Sequence, residues 1–302
     1  MKQLVVISGK GGTGKTSIVA SFATLAQSTV LADCDVDAAD LHLILQPQST
    51  SSGEYSGGNR AHVISDRCTG CGKCEQLCRF GSIVPDTASS IENRNTYKVN
   101  PLACEGCGVC AHFCPADAIE MEPARTGTWF VSETRAGTMV HARLEIAAEN
   151  SGKLVNLVRG KAVELAKENN YELVLIDGSP GLGCPVIASI TGADMLLIVT
   201  EPTLSGIHDL ERIQRLAAHF RVPTVVCINK ADLNPLLTAR IEEQVAALDL
   251  TVVGKIPYDP VVTEAQIRGM SVVEFTDDKV GLRIRDMWQV LRQKLQIEVF
   301  SA

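Results

Sequence analysis

Two groups of residues in this sequence have the types and spacing to do chemistry. Eight of the eleven cysteines form two runs of one pattern, C-x2-C-x2-C-x3-C: Cys68, Cys71, Cys74 and Cys78, then Cys104, Cys107, Cys110 and Cys114, every pair offset by 36 residues. Gly70/Gly106, Gly72/Gly108 and Ile83/Ile119 recur at the same offset, so the segment duplicates one half-module. Three thiolates separated by two residues can wrap one face of an iron–sulfur cubane, their loop amides turned toward its sulfides. The second group is Gly9-Lys10-Gly11-Gly12-Thr13-Gly14-Lys15-Thr16, which fits G-x4-G-K-T and is followed by Ser17. Its glycines let backbone N–H groups converge on phosphate oxygens at a helix N-terminus. Lys15 would reach the β- and γ-phosphates, and the Thr16 hydroxyl would ligate Mg²⁺.

The elements that must hold these groups can be read from periodicity. Leu4–Ser8 is an apolar strand, 15–27 a helix and Thr29–Ala32 a second short apolar run. Fully apolar runs alternating with helices mark a parallel sheet covered on both faces. Residues 49–58, rich in Ser and Gly, have the composition of a flexible linker. Beyond the cysteine block the alternation returns: helix 151–168, strands Leu173–Ile176 and Met195–Thr200, helix 206–219, strand Thr224–Ile228, helix 235–247, strand Thr251–Lys255 and helix 278–296. The fold class expected is therefore α/β, a doubly wound, mostly parallel P-loop sheet. Residues 1–58 and 123–302 would form the nucleotide domain, with 59–122 an inserted α+β bacterial-ferredoxin-like domain.

In the ferredoxin run the fourth cysteine belongs to the other cluster. One [4Fe–4S] cluster would take Cys68, Cys71, Cys74 and Cys114, and the other Cys104, Cys107, Cys110 and Cys78. Pro115 follows the last cysteine as in that run, whereas Arg79 stands where the first half would have proline, which puts its local turn in question. C-x2-C is also zinc spacing, but four cysteines within eleven residues, duplicated, are too compact for zinc ribbons. Without a signal h-region or a long apolar stretch at the start, the cysteines read as ligands in a reducing, cytoplasmic protein rather than as disulfides.

Composition limits the partners. Apolar residues are 45% and aromatics 4% of the 302 residues, and the formal charge is −7. Two oxidised clusters would take the charge to about −11. No nucleic-acid partner is expected from so acidic a chain. The stretch Gly281–Phe300 has Met287, Val290, Leu291 and Leu295 on one helical face, with Arg283, Arg285, Arg292 and Lys294 nearby. That face is expected to pack on the sheet, so a membrane partner is not expected.

The form K-G-G-x-G-K-T, with its early lysine, resembles the deviant Walker A ATPases: MinD, ParA, Mrp-type scaffold proteins and the nitrogenase iron protein. With the cysteine block, the chain resembles MinD-superfamily ATPases carrying an inserted ferredoxin domain. The resemblance implies that Lys10 crosses a homodimer interface on ATP binding to meet the partner's phosphates. It also implies that Asp35 positions the attacking water, with Asp33 near the metal, and that Asp177, ending a Walker B strand, holds Mg²⁺ through water. Gly178-Ser179-Pro180-Gly181 resembles the second switch. Asn229-Lys230-Ala231-Asp232 reads as N-K-x-D, where a carboxylate can accept from guanine. The family instead uses Asn here for adenine, with backbone near Pro257-Tyr258-Asp259, so ATP is expected and GTP is the alternative. Glu201-Pro202-Thr203 and Asn150-Ser151-Gly152-Lys153 complete the likeness. The function implied is nucleotide turnover coupled to electron transfer or metal-cluster assembly with a redox or metal-cluster client. The alternatives are a MinD-like spatial-positioning ATPase and a redox-sensing switch with structural clusters. Cys184 lies seven residues after Asp177, near where the nitrogenase iron protein has a cluster-ligating cysteine, and is a speculative metal-coupling residue. Cys34 and Cys227 read as small buried hydrophobes.

Overall fold

The computed structural model of the chain describes residues 1–26, 28–91, 94–145 and 152–297. The chain begins with β1 (Lys2–Ser8), α1 (Lys15–Ala26), β2 (Thr29–Asp33) and α2 (Leu41–Leu45). The cysteine-bearing part follows as β3 (Gln48–Val63), α3 (Lys73–Leu77), β4 (Ile83–Ile91), β5 (Arg94–Val99), α4 (Val109–His112) and β6 (Ile119–Thr134). The chain then runs through β7 (Gly137–Leu144), α5 (Gly152–Glu168), β8 (Leu173–Asp177), α6 (Cys184–Ile190), β9 (Met195–Thr200), α7 (Leu204–His219), β10 (Thr224–Asn229), α8 (Pro235–Ala247) and β11 (Thr251–Ile256). Three helices close it: α9 (Val261–Ile267), α10 (Val272–Phe275) and α11 (Lys279–Leu295). Two compact units result. One holds Met1–Gly53, Trp129–Arg143 and Asn150–Ala302; the other holds Glu54–Thr128 and Leu144–Glu149.

The main sheet has the strand order β11-β10-β9-β1-β8-β2-β7-β6-β3. The pairs linking β11 through to β7 are all parallel. The inner strands are mostly apolar, and β2, β8 and β9 are buried at every position, because both faces are covered. Leu4 and Val6 join the core beneath α1, α10 and α11, whereas Val5 and Ile7, fully buried too, alternate to the opposite face. Parallel register has one further consequence. Asp33 pairs with Asp177, and Val6 pairs with the same Asp177, so the carboxyl ends of β1, β2 and β8 meet at one edge of the sheet. Ligands bind open α/β sheets at such an edge.

Two expectations need correction. The Ser/Gly segment 49–58 is not a flexible linker but part of the long strand β3. A Cβ at Gly53 would come within 2.4 Å of the Trp129 indole, and the Gly57 N–H donates to Thr126 Oγ1 at 2.7 Å. Bulky residues of β6 thus fill the space that the glycines leave. On α11, Val290 is 37% exposed, and Ile284 and Trp288 are buried with Met287, Leu291 and Leu295. Met287 packs against Gly254 of β11, and Trp288 lies 5.2 Å from Phe22. The apolar face of this helix is therefore core. Among the described residues no helix is long and apolar enough to cross a membrane. Asn150, Ser151 and Phe300 lie outside the described residues.

Arg135, in the turn joining β6 to β7, fastens α2 to the segments around α9 and α10. Its guanidinium donates to the carbonyls of Ile44 and Gly269 at 2.9 Å each and pairs with Glu274 at 2.6 Å. Glu274 also accepts from the Ser271 N–H, closing a capping box on α10. The Arg135 hydrogen bond, first among these contacts, pulls the Glu274 carboxyl down to about 2. A depressed acid stabilises the fold above its unfolded value near 4.5 and loses that contribution as pH falls through about 2. Glu274→Gln should cost about 1–2 kcal/mol at pH 7, allowing for partial solvent screening. In urea unfolding followed by tryptophan fluorescence, that difference from wild type should shrink between pH 4.5 and pH 2.

Candidate functional site: a phosphate-loop cavity and two cysteine cages

The loop from Gly9 to Gly14 connects β1 to α1 and borders a cavity of about 570 Å³, within the range of small-ligand sites. Gly11, Gly12, Thr13, Gly14, Lys15, Thr16 and Ser17 line it. Gly12 and Gly14 have φ of 78° and 89°, the left-handed region that turns successive N–H groups inward. Gly9 serves differently, since a Cβ there would overlap the Asp209 side chain at 2.2 Å. The cavity is also bounded by Asn229, Lys230, Pro257, Tyr258 and Asp259.

Lys15 is the buried centre of this edge. Its ammonium bonds to Asp177 and lies 3.3 Å from Asp35. Burial alone would lower its pKa, but the carboxylates of Asp177 and Asp35 outweigh burial and raise it. Asp35, at the cavity wall, is pushed up to about 6, first by burial and then by the Asp177 charge. Asp33 is raised well above its usual range by burial and by Asp177. Asp33 Oδ2 and Asp177 Oδ2 are both buried without a hydrogen-bond partner. Two orphan carboxylate oxygens on paired residues at the end of the sheet are the hard oxygen donors that Mg²⁺ takes. The residues present fit Mg²⁺, with Asp33, Asp177 and Thr16 as its holders, and the ion would neutralise phosphate charge there. The segment after β8 is tied down alongside: Ser179 Oγ donates to the Cys34 carbonyl at 2.6 Å, and Gly181 N–H to that of Ser8 at 3.0 Å.

The N-K-x-D residues divide their tasks. Asn229 Nδ2 donates to the Thr13 carbonyl at 2.7 Å and lies on the cavity. Asp232 does not line the cavity; one of its oxygens accepts from the Tyr258 N–H at 2.6 Å. That bond engages one oxygen of an exposed carboxylate. Its observed role is to hold Tyr258, whose segment borders the cavity. Lys10 also lies off the cavity, with its ammonium at Glu201. Cys184 is exposed at the first position of α6, while Cys34 and Cys227 are buried.

In the second unit the eight cysteines surround two cavities in crossed sets. Cys68, Cys71, Cys74 and Cys114 line one, and Cys104, Cys107, Cys110 and Cys78 line the other. Among the described residues no three His, Cys, Asp or Glu side chains stand close enough to share a single metal ion. A cubane asks for something else, four separated thiolates with one on each iron. The two halves agree in detail. Gly70 and Gly106 have φ of 72° and 63°, and a Cβ on either would strike a backbone carbonyl, that of Asn95 at 2.5 Å and that of Asn59 at 2.1 Å. Gly72 and Gly108, equally left-handed, open α3 and α4. Ser82 Oγ lies 3.1 Å from Cys78 Sγ, and the Ala118 N–H donates to Cys114 Sγ at 3.3 Å. Donors of this kind stabilise thiolates, and the residues fit a [4Fe–4S] cluster in each cage, which would supply one-electron chemistry.

The turn after Cys78 survives the loss of proline. Gly81 N–H bonds to the Cys78 carbonyl at 3.4 Å, and Asp117 N–H to that of Cys114 at 3.3 Å. Gly81 and Asp117 are left-handed at φ 60° and 49°, so a positive-φ residue, not proline, closes both turns. Sequence reasoning missed this, along with Asn59/Asn95 and Ala61/Tyr97, which occupy equivalent places around the cages. All lie at the same offset of 36 and could have been found by extending the repeat.

A parallel sheet with a phosphate loop, a Walker B aspartate and a buried lysine at its carboxyl edge defines a P-loop nucleoside-triphosphate hydrolase, an ATPase. The chain belongs to the CobQ/CobB/MinD/ParA nucleotide-binding domain family, whose model matches residues 4–272. An uncharacterized protein of Methanocaldococcus jannaschii is 34% identical over 236 residues, 77% of this chain and 79% of that one. The septum site-determining protein MinD of Pyrococcus horikoshii, solved with Mg-ADP, aligns over 99% of both chains at TM-score 0.58 and 16% identity. A chain of the MinC:MinD cell division protein complex of Aquifex aeolicus aligns over 100% of this chain and 98% of its own at TM-score 0.56 and 18% identity. At these identities the two structures bear on the fold alone.

Asp232→Ala should raise the KM for ATP about threefold to tenfold, the worth of one hydrogen bond, and leave kcat nearly unchanged. GTP turnover should not rise. Steady-state kinetics with both nucleotides measures this.

Proposed function

We propose that the protein is an ATP-hydrolysing, dimerising iron–sulfur protein in which nucleotide state is coupled to electron transfer or metal-cluster assembly. The observation carrying this reading is the pair of four-cysteine cages, crossed between the repeat halves and each provided with a donor to its fourth thiol. In the cycle proposed, Lys15 and the loop N–H groups hold the phosphates, Asp33 and Asp177 hold Mg²⁺, and Asp35 orients the attacking water. Lys10 enters the partner's site as a trans-acting cation, so turnover needs two copies. The client supplying or receiving electrons or metal is a redox or metal-cluster protein. The ATPase itself is the firm part of this reading, because the family and fold support it directly.

A second reading is favoured by the comparisons. The two solved structures compared above are named for septum-site determination and cell division, and they support a MinD-like spatial-positioning ATPase better than they support cluster chemistry. A membrane-acting protein of this kind would need an exposed apolar face. Against it stands the burial of the apolar face of α11.

Three measurements separate these readings. Anaerobically purified protein should carry about eight iron and about eight labile sulfide per chain. Zinc in their place, without absorbance near 400 nm, contradicts the cluster reading. Lys10→Ala should preserve ATP binding and lower turnover by about 10³-fold or more, with loss of ATP-dependent dimers, by analogy with trans fingers. ATP-dependent co-sedimentation with anionic vesicles would favour the positioning reading instead.

A further inference from the structure

Lys10 is the one lysine of the phosphate loop that is turned from its own cavity. Its ammonium lies 2.6 Å from Glu201 Oε1 and donates to Ser205 Oγ at 3.3 Å. Glu201 stands just beyond β9, with its side chain only 12% exposed. Its other oxygen accepts from Lys230 at 3.0 Å, and Lys230 donates as well to the Gly12 carbonyl at 3.0 Å. One carboxylate therefore grips lysines from both flanks of the loop. Burial works to raise the Glu201 carboxyl, but hydrogen bonds from Lys10 and Lys230 overcome it and hold the group below its usual range. The carboxylate is thus charged throughout the neutral range, and the pair is shielded more than an ordinary surface pair.

We propose that Glu201 is a positioning residue that parks the Lys10 ammonium against its own chain, so that Lys10 can reach a partner's phosphates only by leaving Glu201. This rests on the reading of Lys10 as a trans-acting residue. Parking reduces the fraction of chains whose Lys10 is free to cross, and because both copies must release Lys10 the apparent dimer affinity falls by the square of that fraction. Lys230 keeps its bond to Gly12 when Lys10 departs, so Glu201 retains one counter-ion and the loop keeps its shape. Ser205, at the start of α7, is the lesser part of the latch, since its hydroxyl contacts Lys10 at the longer distance.

The test uses full-length, cluster-loaded protein without nucleotide. Wild type, Glu201→Gln and Ser205→Ala are exposed briefly to reductive methylation, and modification of Lys10 is read by mass spectrometry against Lys167. Lys10 should react about threefold to tenfold faster in Glu201→Gln, with a smaller gain in Ser205→Ala and none at Lys167. The protein concentration giving half-maximal ATPase per chain should fall in Glu201→Gln by about the square of that factor. Equal Lys10 rates in all three proteins overturn the proposal. If Glu201→Gln fails to fold, equal rates in wild type and Ser205→Ala overturn it by themselves. A wild-type ATPase per chain that is independent of concentration overturns the dimer reading instead, whatever the methylation shows.

Discussion

The nucleotide site depends on one constraint, the parallel register that brings Asp33 and Asp177 side by side at the end of the sheet. Three carboxylates, those of Asp33, Asp35 and Asp177, then crowd around the single buried ammonium of Lys15. Like charges so close and so poorly solvated cannot all ionise without a further cation. Their burial leaves the site short of positive charge, which Mg²⁺ would restore in the cycle proposed, where Lys15 exchanges a carboxylate for a phosphate. The glycines of the loop, the anchoring of the segment after β8 on β1 and β2, and the Arg135 fastening of α2 and α10 all serve to keep that edge in shape.

The cysteine unit follows a different rule. It is too small and too short of apolar residues to fold on a large core; its buried residues are few, Ala61, Val63, Cys68, Ala118 and Ile119 among them. Its order comes from tight turns at left-handed glycines, repeated by pseudo-twofold symmetry, which set eight thiols around two spaces. Clusters bound there would contribute folding energy as structural metals do in other small modules.

Much of this was legible in the residues. The phosphate loop, the Walker B strand and most core strands announce themselves because fully apolar runs between glycine turns have few other uses. The family follows from the same features. The glycine-rich strand β3 was not legible, because its order comes from Trp129 and Thr126, more than sixty residues away in sequence. Val290 was misjudged because helical spacing alone does not fix where the buried arc of α11 ends; Gly254 and Phe22 decide that. Asp232 could not be told from a base-recognising carboxylate by its motif, since only the fold reveals the Tyr258 N–H that it holds. The Glu201 grip on Lys10 was equally hidden, as it joins residues 191 positions apart.

The central claim is that nucleotide state and cluster chemistry are coupled in one chain. Anaerobic redox titration followed by electron paramagnetic resonance, with and without a non-hydrolysable ATP analogue and Mg²⁺, tests it directly. Coupling predicts low-spin signals of reduced [4Fe–4S] clusters, with a midpoint potential that moves by about 30 mV or more when nucleotide binds, while Lys15→Ala shows the signals without the movement. Absence of the signals, or potentials indifferent to nucleotide in a protein that binds it, would contradict that claim.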